Sequence, residues 1–403
     1  LFFGDTVSTA QILDLVRDAR SEGLTNARDC LDLQSGSKAL EKVAKDLRLA
    51  VGIDAGRFSC GQLLEKAEFA PALKVLEEEV TRFAAILETQ AERAEGLEKC
   101  WQRALELVQR LGHWQKVADD GYVRWAEAFT QSLQLNLTPL DVAEIFKKQM
   151  GGHPRAWIFT SATLAVQGKF NHYCAELGLG EPESACWESP FDYGKQAVLY
   201  APLGMPEPNS YGYTDAVVDA AWPAVVAANG GAFFLCTSLR AMRRTHELLK
   251  ARLEDEGLDM PLLVQGEGSK NDLLQRFRHH GASILVGSQS FWEGVDVRGE
   301  ALSLVVIDKI PFAPPDDPVL SARIEQMRQQ GRNPFMEYQL PRAVINVKQG
   351  AGRLIRDETD RGVLMICDPR LLSKPYGRRV WQSLPPMKRT KELQDVLNFF
   401  ASR

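Results

Sequence analysis

No apolar run in the sequence approaches the ~20 residues that a bilayer-spanning helix needs. A helical membrane protein is therefore excluded. Cysteine is sparse and unpatterned: Cys30, Cys60, Cys100, Cys174, Cys186, Cys236 and Cys367, with no CxxC pair. An odd number spread this widely fits neither a disulfide framework nor a zinc site, and it predicts a reducing, cytoplasmic home. There is no basic excess either, since 48 Lys+Arg against 53 Asp+Glu leave a formal charge of −5. Any contact with nucleic acid must then come from local patches. Repeats and low-complexity segments are missing, as is a signal-peptide pattern. The chain opens on Leu1 and not on Met, which predicts that its natural N-terminus lies further upstream. What is present is ordinary globular material: 403 residues, 45% apolar and 25% charged, enough for two or three domains. Such a composition excludes fibrous and wholly disordered chains.

Two textures divide the sequence. Between Pro71 and Leu111, apolar residues recur at steps of three and four: Leu73, Leu76, Val80, Phe83, Leu87, then Leu97, Trp101, Ala104, Val108 and Leu111. That spacing predicts amphipathic helix, as an antiparallel pair turning near Gly96. A packed helical subdomain explains it, with a partner-binding or DNA-clamping role as the alternative. From Ala156 onward the pattern becomes strand, turn and helix. Strands are expected at Trp157–Thr160, Ala232–Cys236, Leu262–Val264, Ser283–Val286, Leu302–Ile307 and Val363–Cys367. Short apolar runs alternating with helices predict an α/β fold, its parallel sheet covered on both faces. The Pro/Gly-rich stretch Tyr200–Tyr213 reads as a linker or exposed loop.

Ligands of open α/β sheets gather at the carboxyl ends of the strands. Polar clusters occur there. Thr160-Ser161-Ala162-Thr163 closes one expected strand and Thr237-Ser238 another. Each hydroxyl can cap a helix, at ~1 kcal/mol, or sit beside N–H groups that receive a phosphate. The segment Gly287–Gly299 combines Ser288, Phe291, Trp292, Glu293, Gly294 and Asp296 in a connection longer than simple closure requires. Its carboxylates suit a ribose or a water; the plain alternative is a capped surface turn. In Gln349-Gly350-Ala351-Gly352-Arg353-Leu354-Ile355-Arg356, a helix would align Gln349, Arg353 and Arg356 at i, i+4 and i+7. An amide and two guanidiniums in a stripe suit a triphosphate. The competing reading is a salt-bridged surface face with Asp357, Glu358 and Asp360. Basic residues also gather at Arg240, Arg243, Arg244 and Lys250, and again between Arg370 and Lys391.

In order, Thr160-Ser161-Ala162-Thr163-Leu164, Phe234-Leu235-Cys236-Thr237-Ser238, Phe291-Trp292-Glu293-Gly294-Val295-Asp296, Lys309-Ile310-Pro311-Phe312 and Gln349–Arg356 resemble motifs III to VI of superfamily 2 DNA helicases of the XPD/DinG group. The bacterial YoaA-type members are the nearest likeness. It covers about residues 155–380. Over residues 1–150 it is positional, since a helical Arch insertion precedes motif III in that group. The sequence contains no GxxxxGK[ST] P-loop, no DEAH and no four-cysteine cluster set.

The resemblance implies a RecA-like parallel-sheet motor domain plus an N-terminal, mainly helical, Arch-like region. It divides the chain into an Arch-like region with a remnant of the first motor domain (1–150), the end of that domain with motif III and the crossover (151–190), and the second motor domain (191–403). ATP and Mg²⁺ would be held mainly by a preceding domain, and an iron–sulfur cluster would belong to the parent and not to this chain. Arg353 and Arg356 would reach the γ-phosphate, the latter as arginine finger, with Gln349 sensing nucleotide. Glu293, Gly294 and Asp296 would line the nucleotide cleft. Ser161 and Thr163 would couple hydrolysis to domain movement. Thr237, Ser238, Ser288, Phe291 and Trp292 would touch single-stranded DNA. The group implies 5′→3′ translocation, a role in DNA repair or damage tolerance, and a replication or repair protein as partner. Two other readings stand beside it: a non-catalytic DNA- or protein-binding RecA-like module, and an unrelated α/β phosphohydrolase.

Overall fold

A computed structural model describes residues 3–116, 121–152, 155–161, 163–166, 168–288, 291 and 301–402. The chain forms two compact units: Leu1–Arg155 with Glu176–Gly178 and Pro314–Arg332, and the remainder. No described helix is long and apolar enough to cross a membrane.

The first unit is built on four long helices, Thr9–Asn26, Leu31–Ala50, Phe69–Glu88 and Glu95–Lys116. The expected helix pair is thus present, with its turn at 89–94, just before Gly96. Leu73, Leu76, Val80, Phe83 and Leu87 face inward from one helix and Leu97, Ala104 and Leu111 from the next, forming one core with Ile12 and Leu15. Ser8 starts the first helix through a capping box: its Oγ accepts from Gln11 N at 3.1 Å, and Gln11 Oε1 accepts from Ser8 N at 2.9 Å. An antiparallel sheet of β1 (Asp5–Ser8), β2 (Gly56–Ser59), β3 (Tyr122–Ala128) and β4 (Leu133–Pro139), in the order β1-β4-β3-β2, covers this bundle. Sequence reading did not anticipate this sheet, although Val123 and Trp125 alternate with polar neighbours as half-buried strands do. The excursion Pro314–Arg332 also belongs here. Its helix, Pro318–Gln329, is capped by Asp317, which accepts from Val319 N and Leu320 N and from Arg57 Nη1 at 2.7 Å.

The second unit holds a seven-stranded, wholly parallel sheet in the order β11-β5-β10-β9-β6-β8-β7. Its strands are β5 (Ala197–Tyr200), β6 (Ala232–Cys236), β7 (Leu262–Val264), β8 (Ile284–Ser288), β9 (Leu304–Ile307), β10 (Gly362–Ile366) and β11 (Lys388–Thr390). Alternate residues of β6 enter two different cores: Phe233 and Leu235 pack on one face, Phe234 and Cys236 on the other. A strand buried on both faces reads as an unbroken apolar run, which is why β6 was visible from sequence. The expected α/β class with a helical N-terminal region is what the chain adopts.

One expected strand is absent. Trp157–Thr160 pairs with no described strand, and Ile158 is 83% exposed. Apolar side chains supply burial, but a strand needs a neighbour to take its backbone N–H and C=O groups.

Candidate functional site

All seven strands of the second unit end at one edge, and the polar side chains collected there hold one another. Asp308 follows β9. Its Oδ1 accepts from Thr237 N at 3.0 Å and Lys309 N at 2.7 Å, and its Oδ2 accepts from Thr237 Oγ1 at 3.1 Å. Burial pushes the Asp308 carboxyl up to about 6, against the opposing pull of Lys309 and these donors. Asp368, after β10, accepts from Ile310 N at 2.8 Å and takes a forked contact from Arg370. Tyr213 closes the knot by donating to Asp308 O at 2.6 Å and Cys367 O at 3.2 Å. Cys236 and Cys367 lie beside it, their thiols raised by burial, so they are packing groups and not nucleophiles.

This knot changes the role of several expected site residues. Thr237 gives both its donors to Asp308, so it fixes the end of β6 and has no proton left for a phosphate. Ser238 caps the Leu239–Glu256 helix, accepting from Ala241 N at 3.1 Å. Its own hydroxyl proton stays available, and its position is exposed. Ser288 N and Oγ both donate to Gln265 Oε1, at 2.7 and 2.8 Å, tying β8 to the end of β7. Phe291 is 7% exposed and belongs to the core, with Gly287 leaving room for it: a Cβ there would lie 2.9 Å from Phe291 Cβ. Phe291 therefore offers no open face for the expected base stacking, since its ring is already covered. Trp292, Glu293, Gly294 and Asp296 lie outside the described residues.

The arginine motif stands at the other edge. The helix Leu340–Ala351 stops at Ala351, and Arg353 and Arg356 follow in a turn before β10. The expected single helical stripe of Gln349, Arg353 and Arg356 does not form, because Gly350 and Gly352 bracket the helix end and the chain must turn into β10. The turn is fixed from within. Asp360, buried, accepts from Arg356 N at 2.7 Å and Asp357 N at 2.9 Å. Gln196, immediately before β5, donates through Nε2 to the carbonyls of Asp357, Glu358 and Asp360. Arg353 and Arg356 are each half-buried on this braced backbone, while Leu354 and Ile355 between them anchor in the core.

The structure also brings the Ser161–Thr163 loop to this helix. Thr163 N donates to Ser161 Oγ at 3.2 Å, and Lys348 Nζ, beside Gln349, donates to Ala165 O at 2.9 Å. Burial lowers the Lys348 ammonium pKa. Neither Lys348 nor Asp308 stood out from sequence, because the partners of each, Ala165 for Lys348 and Thr237 and Tyr213 for Asp308, lie far away along the chain. Among the described residues, no group of three or more His, Cys, Asp or Glu converges as a metal site.

Residues 222–387 match the family described as Helicase C-terminal domain. The chain is 41% identical over 400 residues to the ATP-dependent DNA helicase YoaA of Escherichia coli, covering 99% of this chain and 62% of that protein. It is 36% identical over 269 residues to the ATP-dependent helicase DinG of Mycobacterium tuberculosis, covering 65% of this chain and 39% of the relative. A solved XPD helicase structure shares the fold with a TM-score of 0.59 at 15% identity, over 96% of this chain and 65% of that one. This chain thus spans less than two thirds of the length of these relatives. By sequence along nearly its whole length the chain is similar to the helicase YoaA, and over 269 residues to DinG, and it shares the fold of the XPD helicase structure.

Proposed function

We propose that this chain forms the Arch-like region and second motor domain of an ATP-dependent DNA helicase that moves 5′→3′ along single-stranded DNA. In this reading residues 1–150 are the Arch-like region, 151–190 the end of the first motor domain and 191–403 the second. Its cellular task is DNA repair or damage tolerance, in the cytoplasm, beside a replication or repair protein. The observation that carries the reading is the braced turn bearing Arg353 and Arg356. Two permanently charged planar forks on a fixed backbone suit a phosphoryl group presented by another domain.

The residues fit part of a nucleotide site and no more. Gln349, Arg353 and Arg356 would meet the γ-phosphate, and Glu293, Gly294 and Asp296 would border the same cleft. The 403 residues hold neither a P-loop nor DEAH. The triphosphate and Mg²⁺ would therefore be gripped by residues outside them, as would any iron–sulfur cluster. When bound, Mg²⁺ neutralises charge on the phosphates. Arg356 would then stabilise charge developing on the transferred phosphoryl, and Arg353 would orient it. Lys348 joins the helix Leu340–Ala351 to Ala165, two residues past Thr163, which supports a coupling role for Ser161 and Thr163. Ser238, exposed just after β6, and Trp292 remain the DNA contacts of this reading.

Strand-displacement assays with 5′- and 3′-tailed duplexes test it, using a protein that joins this chain to a P-loop motor domain. Unwinding of the 5′-tailed substrate is expected, together with negligible ATP hydrolysis by the 403 residues alone. Robust DNA-stimulated turnover by the 403 residues alone, or unwinding confined to 3′ tails, would overturn it.

A further inference from the structure

The loop that follows β5 shows an aromatic residue to solvent from a rigid mount. Pro202 and Pro208 are buried, Ser210 Oγ donates to Glu207 O at 2.6 Å, and Met205 packs against the core. Gly212, at φ +79, turns the chain into the helix Tyr213–Ala227. Tyr213 is then locked by its hydroxyl to the ends of β9 and β10. Two residues before that lock, Tyr211 is 103% exposed. Anchors on both sides hold its backbone at the carboxyl edge while its ring faces solvent.

The same edge of the sheet carries cations. The helices Tyr213–Ala227 and Leu239–Glu256 pack together and both start from this edge, because each follows a strand of the same parallel sheet. Arg244 crosses between them to Asp215, in the first turn of the former, at 2.6 Å. Arg240 lies on the same helical face as Arg244 but one turn closer to the helix start at this edge. Arg240 and Arg243 are exposed, and neither has an ion-pair partner among the described residues. Lys309 adds a third cation, its Nζ 5.5 Å from the Tyr213 ring. Of the nearby acids, Asp215 and Glu247 are both engaged by Arg244, at 2.6 and 3.6 Å.

Resting on the single-stranded DNA reading, the geometry points to Tyr211 as a base-stacking platform, with Arg240 and Arg243 as the adjoining phosphate contacts. A rigidly mounted aromatic beside unpaired guanidiniums matches one nucleotide unit: a flat apolar base attached to an anion. Such stacking tolerates every base, because each has a π-face. An acidic peptide would use the cations and leave the ring idle.

Fluorescence anisotropy with labelled oligodeoxythymidine, titrated at several salt concentrations against the 403-residue chain, tests the assignment. Tyr211→Leu should weaken binding by about 5- to 150-fold with an unchanged salt slope, whereas Tyr211→Phe should bind as wild type. An abasic oligomer should bind wild type and Tyr211→Leu alike. Because Tyr211 is wholly exposed, its replacement leaves folding intact, and a melting curve verifies this. Wild-type affinity in Tyr211→Leu would overturn the platform while leaving DNA binding itself standing. Absence of binding by the wild-type chain would remove the DNA reading and the platform with it. Displacement by polyglutamate as readily as by unlabelled oligodeoxythymidine would assign the patch to acidic peptide and overturn it.

Discussion

Asp308 takes both donors of Thr237, the backbone N–H at 3.0 Å and the hydroxyl at 3.1 Å, and so fastens the end of β6 to the end of β9. The carboxyl that does this is fully buried, and burial pushes it up to about 6 from the ordinary carboxylate value of 3.8. The folded state thus holds this proton more tightly than the unfolded chain. The resulting stabilisation is complete below pH ~4 and is lost as pH rises through about 6, a change of order 3 kcal/mol. Asp308→Asn keeps an oxygen for the two N–H donors and can donate to Thr237 Oγ1. Denaturation midpoints at pH 4.5 and 7.5 should therefore differ less in the variant than in wild type. Equal differences would show that Asp308 does not titrate in this range.

Phe291→Ala should cost about 3–5 kcal/mol of stability, as expected for removing a buried phenyl ring. Its DNA affinity, measured where the variant is still folded, should match wild type. Weakened binding at full stability would return Phe291 to the surface role that its burial denies.

The cationic patch separates into committed and uncommitted arginines. Neutralising Arg240 and Arg243 should lower the slope of log affinity against log salt by about 0.7 for each phosphate that is no longer neutralised. Arg244→Ala should leave the slope nearly unchanged, because its guanidinium already serves Asp215. Titrations at four or more salt concentrations measure this. A slope that falls equally for all three substitutions would contradict the division.

Much of the second unit was legible in the sequence because a parallel strand covered on both faces leaves a continuous apolar run. The five residues Ala232–Cys236 coincide with β6. Lys388-Arg389-Thr390 gave no such signal, since an edge strand is partly exposed and carries charge. Ser238 was legible as a helix cap, because capping needs only local chemistry. Asp308 was not, because its partners Thr237 and Tyr213 lie far away in sequence and meet only once β6 and β9 are adjacent. The arginine pair was visible as residue types, but its placement depended on where the helix stopped. Residues Gly350–Gly352 bear on that end, and Asp360 and Gln196 fix the turn after it.

Steady-state ATP hydrolysis by Arg356→Ala tests the central assignment most directly, in a protein joining this chain to a P-loop motor domain, at saturating single-stranded DNA. The expected result is a kcat lower by about 10³-fold or more, with DNA affinity by anisotropy unchanged. A kcat equal to wild type would contradict the arginine-finger role and the account built on it.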